Sequence, residues 1–305
     1  MVRERTERAK RRILSRVRKQ RLKYITILPS LITLLNGICG FAAIVFASKM
    51  STSGASELSF QNHQITPFAA SCYMIFIAMI ADMLDGHIAR ISQSTSSFGG
   101  QLDSLCDIIS FGLAPAFLML KVLEHKLGGI DPFGGLLGRF IWLTAAIYIG
   151  CSAIRLARFN VENEEDEAAH MSFLGLPIPA AAGVIASLVL LDQHLLDGLQ
   201  VNGSWFYTGM HNVIVFSLPF VALGAAVLMI GRIRYPHIVN QYLRGRKPFA
   251  YLIGTIAFLY LSIFIREVAM AVLFSIFALS GPCKWFYYRV INKKHRSASI
   301  TTANS

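Results

Sequence analysis

The sequence predicts an all-α, polytopic membrane protein, and three observations carry that expectation. Hydrophobic residues make up 54% of the 305 residues and charged residues only 15%, against about 25% charged in an ordinary soluble domain. The apolar residues fall into runs of 16–24 separated by short polar stretches, the length a helix needs to cross a hydrocarbon core. The positive charge lies beside those runs rather than on a folded polar domain. The same composition excludes a coiled coil, a repeat solenoid and a disulfide scaffold.

Eight candidate spans follow in order: 25–48, 67–90, 102–121, 139–158, 177–195, 213–231, 249–265 and 267–288. The first follows a basic segment and is too long for a cleaved signal peptide, so it is expected to be an uncleaved signal-anchor. The seventh is short and joins the eighth through Arg266-Glu267, as a tight hairpin would. The five cysteines (Cys39, Cys72, Cys106, Cys151 and Cys283) form no CxxC pair. They are expected to be small buried hydrophobes, not a disulfide framework or a zinc site.

The formal charge of +12 is uneven. Residues 1–24 carry +9, residues 284–305 carry +5, and the body between them −2. Such tails suit anionic lipid headgroups, at about 1 kcal/mol per basic residue near the surface, and argue against nucleic acid as partner. Residues 9–24 admit either an interfacial helix, with Ile13, Leu14 and Val17 on one face, or a disordered basic tail. With the N-terminus in the cytosol, eight spans put 24 of the 29 Lys/Arg on the cytosolic side and 5 outside. That asymmetry predicts cytosolic termini and cytosolic loops near 91–101, 159–176 and 232–248.

Carboxylates at a membrane edge are costly and by default mark function. Four fall within 26 residues: Asp82 and Asp85 at the end of the second span, Asp103 and Asp107 at the start of the third. Spacings of i,i+3 and i,i+4 put each pair on one helical face. The polar connection Ser92–Ser97 lets the helices run antiparallel, with the four carboxylates converging in one pocket. Four such anions need a cation, and oxygen ligands without Cys or His favour Mg²⁺ or Mn²⁺. Two ions suit phosphoryl transfer, because together they clamp a diphosphate and stabilise the leaving oxygen. Gly86 and Gly99 allow close approach of a ligand to backbone, and Arg90 is placed to meet a phosphate. His87 and His170 have no partner spacing and are given no role. The acidic run 162–167 reads as a solvated loop.

The pattern D-x2-D-G-x2-A-R-x8-G-x3-D-x3-D, met by Asp82, Asp85, Gly86, Ala89, Arg90, Gly99, Asp103 and Asp107, resembles the signature of the CDP-alcohol phosphatidyltransferases. Further stretches look like the phosphatidylserine synthase branch: Leu28–Asn36, Leu105–Ala116, Arg155–Asn160 and Phe173–Ala181. The resemblance covers about residues 24–190. It implies a six-helix core with about two extra C-terminal spans. The expected division is a basic segment 1–24, a membrane core 25–231, a loop with two extra helices 232–288 and a basic tail 289–305.

The activity implied is transfer of a phosphatidyl group from CDP-diacylglycerol to the hydroxyl of L-serine, with release of CMP. By that resemblance Asp82, Asp85 and Asp103 hold the metal ions, while Asp107 touches metal and serves as base. Gly86, Arg90, Ser96 and Gly99, with the Ser30–Thr33 turn, contact the donor. Arg155 and Arg158, i,i+3 at the cytosolic end of the fourth span, are expected to bind the serine carboxylate or a donor phosphate, or else to anchor the span. A homodimer in a bacterial cytoplasmic membrane, its active site facing the cytosol, completes the expectation. The competing readings are a sibling enzyme using glycerol phosphate, inositol phosphate or choline, and a cation transporter. A transporter would favour internal repeats and midplane sites, and the chain has neither an evident repeat nor midplane carboxylates in this cluster.

Overall fold

The computed structural model describes residues 30–49, 58–60, 63–92, 97–129, 135–165, 175–202, 205–231, 233 and 266–303. The basic segment 1–24, Ser96, the span 249–265, the loop 234–248 and the end of the acidic run lie outside the described residues.

Helix α1 (Ser30–Lys49) leads towards a two-stranded antiparallel hairpin, β1 (Leu58–Phe60) and β2 (His63–Ile65), in the register Ser59 to Gln64. Helix α2 (Pro67–Ser92) follows. Then α3 (Ser97–Asp107) passes through a π-helical turn, Ile108–Leu113, into α4 (Ala114–Leu127). Helices α5 (Leu136–Glu165), α6 (Ile178–Asn202), α7 (Trp205–Ile230) and α8 (Arg266–Ala303) complete the described chain. The all-α expectation therefore holds across the bundle; the short hairpin is an addition the hydropathy pattern did not reveal.

Six helices are long and apolar enough to cross a membrane, and Ile178–His194 is a shorter apolar helix. The protein is thus an integral membrane protein. The third predicted span is one continuous helical passage, Phe98–Leu127. Helix α6 is central: nearly every residue from Ala181 to Leu190 is buried, and it packs on α2, α7 and α8. Gly183 admits Phe274 of α8, since a Cβ there would collide with that ring. Phe274 in turn stacks on Phe76 of α2, with centroids 5.8 Å apart. Small residues line such crossings, as membrane helix packing requires. Cys39, Cys72 and Cys106 are buried as expected, but Cys151 is half-buried and Cys283 is exposed on α8.

The π turn has a local reason. Pro115 has no N–H to offer the carbonyl of Phe111 four residues back, and the buried Tyr148 hydroxyl donates to that oxygen at 3.1 Å. The Ala114 amide donates to Ile109 O, the five-residue spacing of a π turn. At one end of the bundle Thr66 caps α2 by accepting from the Ala69 amide (3.2 Å) and donates to Gln193 Oε1 (2.7 Å). Gln193 donates to Asp192 Oδ2 (3.2 Å), and Asp192 shares a hydrogen bond with His211 Nδ1. This buried polar chain ties α2, α6 and α7 together at the end opposite the acidic cluster.

Candidate active site

The acidic cluster forms where the C-terminal end of α2, the N-terminal part of α3 and the first turns of α1 meet. Asp82 and Asp85 descend from one face of α2, and Asp103 rises from α3. One carboxylate oxygen from each of the three lies within 4.8 Å of the others. Asp85 is 5% exposed. Buried oxygens of Asp85 (Oδ2) and Asp103 (Oδ1) have no hydrogen-bond partner. Leaving such atoms bare is expensive, and three hard anionic oxygens at this spacing suit a divalent cation. The residues present therefore fit a metal ion.

Asp107, one turn further along α3, is buried and stands apart from that trio. It accepts a hydrogen bond from Asn36 Nδ2 at 2.8 Å and lies within electrostatic reach of Asp82 and Asp103. Three carboxylates thus converge, and the fourth, expected from the resemblance to touch metal and serve as base, is held by Asn36 of α1.

Helix α1 has two distinct faces. Leu31, Leu34, Leu35, Ile38 and Phe41 are exposed on one side, where lipid tails would lie, while Thr33, Asn36, Gly40 and Ala43 are buried on the other. The Thr33 hydroxyl bonds the Asp85 carboxylate. Ser110 Oγ donates to the Asn36 carbonyl at 2.8 Å. Gly37 and Gly40 bring the backbones together: a Cβ at Gly37 would sit 3.0 Å from Cys106 Sγ, and one at Gly40 would sit 2.6 Å from Ser110 Cα.

Ser30 and Thr33 lie in the first described turn of α1, inside the span expected there. Gly86 and Gly99 lie on the facing ends of α2 and α3, and a Cβ on Gly86 would meet nothing within 4 Å. Arg90 lies in the last turns of α2. Arg155 is buried, with its guanidinium against the Gly175 turn, where a Cβ would lie 3.2 Å from Nη1. Arg158 is half-buried one turn later. Beyond them Asn160 donates to Ser104 of α3 at 2.9 Å, so the end of α5 is fastened beside Asp103. Sequence reasoning gave no role to Asn36, Gly37 or Gly40. The polar Asn36 inside an apolar span was the available signal.

The family model of the CDP-alcohol phosphatidyltransferases matches residues 26–218, which include all four aspartates and Asn36. The chain is 31% identical over 262 residues to a CDP-diacylglycerol–serine O-phosphatidyltransferase of Helicobacter pylori, covering 84% of this chain and 94% of that protein. The protein of the same name from Methanocaldococcus jannaschii is 31% identical over 169 residues, 55% of this chain and 64% of the relative. An archaetidylserine synthase of Methanothermobacter thermautotrophicus is 29% identical over 214 residues, 69% and 70% of the two chains.

Proposed function

Because the chain belongs to the CDP-alcohol phosphatidyltransferase family, we propose that it transfers the phosphatidyl group of CDP-diacylglycerol to the hydroxyl of L-serine, giving phosphatidylserine and CMP. The observation that carries this reading is the trio Asp82, Asp85 and Asp103, with oxygens within 4.8 Å of one another at the end of membrane-spanning helices. A donor with acyl chains in the bilayer presents its diphosphate at that depth. The names of the relatives favour serine over the sibling alcohols.

In this reading Asp82, Asp85 and Asp103 hold Mg²⁺ or Mn²⁺, taken as two ions, with Asp107 within reach of one. Bound ions of this kind neutralise a diphosphate and stabilise a departing phosphate oxygen. The side chains do the rest. Thr33 bonds the Asp85 carboxylate and so restrains the group that would hold the metal. Gly86 and Gly99 let the donor approach backbone, and Ser30, Thr33, Arg90 and Ser96 contact the cytidine diphosphate. Asp107 takes the proton of the serine hydroxyl as its oxygen bonds the phosphorus that carries diacylglycerol and the bond to CMP breaks. Arg155 and Arg158 are the cations assigned to the serine carboxylate or a donor phosphate.

The active site is assigned to the cytosolic side from the Lys/Arg asymmetry, and a bacterial cytoplasmic membrane is the proposed location. Residues 25–231 are read as the catalytic core, flanked by the basic segment 1–24, an extra membrane region 232–288 and the basic tail 289–305. Anionic lipids are the partners of the basic segments, and a homodimer is the proposed assembly. The test is an acceptor panel: labelled CDP-diacylglycerol in detergent, offered serine, glycerol 3-phosphate, inositol phosphate or choline, with CMP and lipid products resolved. Serine-dependent CMP release supports the reading; release driven by another alcohol alone overturns it.

A further inference from the structure

Asn36 combines three features that packing alone does not explain. It is fully buried in α1, its amide nitrogen donates to Asp107 Oδ1 at 2.8 Å, and its Oδ1 is buried with no hydrogen-bond partner. The orientation of the amide follows from chemistry, since a carboxylate oxygen accepts and therefore selects the NH₂ end. The main chain around it is fixed as well, by Ser110 on the Asn36 carbonyl and by the close approach of Gly37 to Cys106. The side chain therefore has little freedom to find another partner. The two ends of one planar amide are so close that the bare oxygen lies within about 5 Å of the Asp107 oxygen, given a normal hydrogen-bond length.

A bare carbonyl oxygen beside a cluster of carboxylates suits a cation, and among the groups a substrate can offer it is matched by a cationic donor that carries no acceptor. An ammonium group fits that description. A purely anionic group does not, because the amide oxygen has no proton to offer it. We propose that Asn36 is the residue that selects the amino group of the acceptor: its Oδ1 receives an N–H of the substrate ammonium while its Nδ2 keeps Asp107 turned towards the acceptor hydroxyl. This rests on the phosphatidyl-transfer reading above and adds a specificity role to it. A site built to hydrogen-bond a substrate N–H rejects the analogue that lacks it, because its own polar atom is then left bare.

The experiment compares serine with 3-hydroxypropanoate, which is serine without its amine, as acceptors for CDP-diacylglycerol. It reads kcat and KM for each, and donor affinity separately. The wild-type protein is expected to prefer serine at least tenfold in kcat/KM. Asn36→Leu removes both hydrogen bonds, and the preference is expected to shrink to threefold or less, with donor affinity within twofold of wild type. Asn36→Asp keeps an acceptor oxygen but loses the N–H donor, so it is expected to keep the preference and lose at least tenfold in kcat. This second variant tests the proposal even if the leucine variant does not fold. A purely structural role would move donor affinity and both acceptors together. If the wild type releases CMP without preferring serine, the acceptor reading falls and this inference with it. If the wild type prefers serine and Asn36→Leu prefers it equally, or if Asn36→Asp loses the preference, only the assignment to Asn36 is overturned.

Discussion

Gly40→Ala places a methyl group where α1 crosses the π turn. Its carbon would collide with Ser110 Oγ and lie 2.6 Å from Ser110 Cα and 2.9 Å from Ser110 Cβ. Carbon atoms settle at about 3.5 Å or more, so the approach to the Ser110 main chain is short by about 1 Å. That neighbour is backbone and cannot rotate away, so the whole of α1 must retreat. Overpacking of this kind costs about 1–3 kcal/mol. Function suffers as well, because the same retreat pulls Asn36 from Asp107 and Thr33 from Asp85. A displacement of about 1 Å at reacting groups lowers rates on the order of 100-fold. Serine-dependent CMP release in detergent, read beside thermal unfolding, is the assay. Gly150→Ala is the control, since a Cβ there meets nothing within 4 Å and alanine favours a helix by about 1 kcal/mol over glycine. If Gly40→Ala turns over within about threefold of wild type, the view that close α1 packing sets the site geometry is refuted.

A chelator should abolish turnover and Mg²⁺ or Mn²⁺ restore it, while Asp82→Asn, Asp85→Asn and Asp103→Asn each remove most activity and leave membrane insertion intact; full turnover in excess EDTA would count against metal ligation by the trio. Asp107→Asn should retain donor and metal binding but lose transfer by about 100-fold or more, the usual worth of a general base; donor affinity measured beside rate decides it, and a loss under tenfold rejects the role. Tyr148→Phe should lower stability by about 1 kcal/mol, because the Phe111 carbonyl loses its hydroxyl partner; an unchanged unfolding midpoint would refute that. The Lys/Arg asymmetry puts Ser204 outside and Arg244 inside, so cysteines placed there should label from opposite faces of sealed vesicles, and equal labelling would overturn the eight-span topology.

The membrane class and most spans were legible in the sequence because a helix that crosses lipid must satisfy its backbone internally and cover about 20 residues with apolar side chains. The aspartate pairs were legible for an equally local reason: i,i+3 and i,i+4 spacings share a helical face wherever the helix goes. Tertiary structure decided what depends on how helices cross. Asn36 and Asp107 are 71 residues apart, and no periodicity links them. Their hydrogen bond exists because Gly37 and Gly40 let α1 press against α3 and the π turn. The same crossing gives Asp107 its Asn36 partner, a contact that spacing alone could not supply. Asp192 and His211, at the other end of the bundle, are visible in the sequence as polar interruptions of apolar runs. Only the packing of α6 on α7 turned them into a pair. Local periodicity thus determines which faces a helix offers, whereas side-chain volume at the crossings determines which offered groups meet.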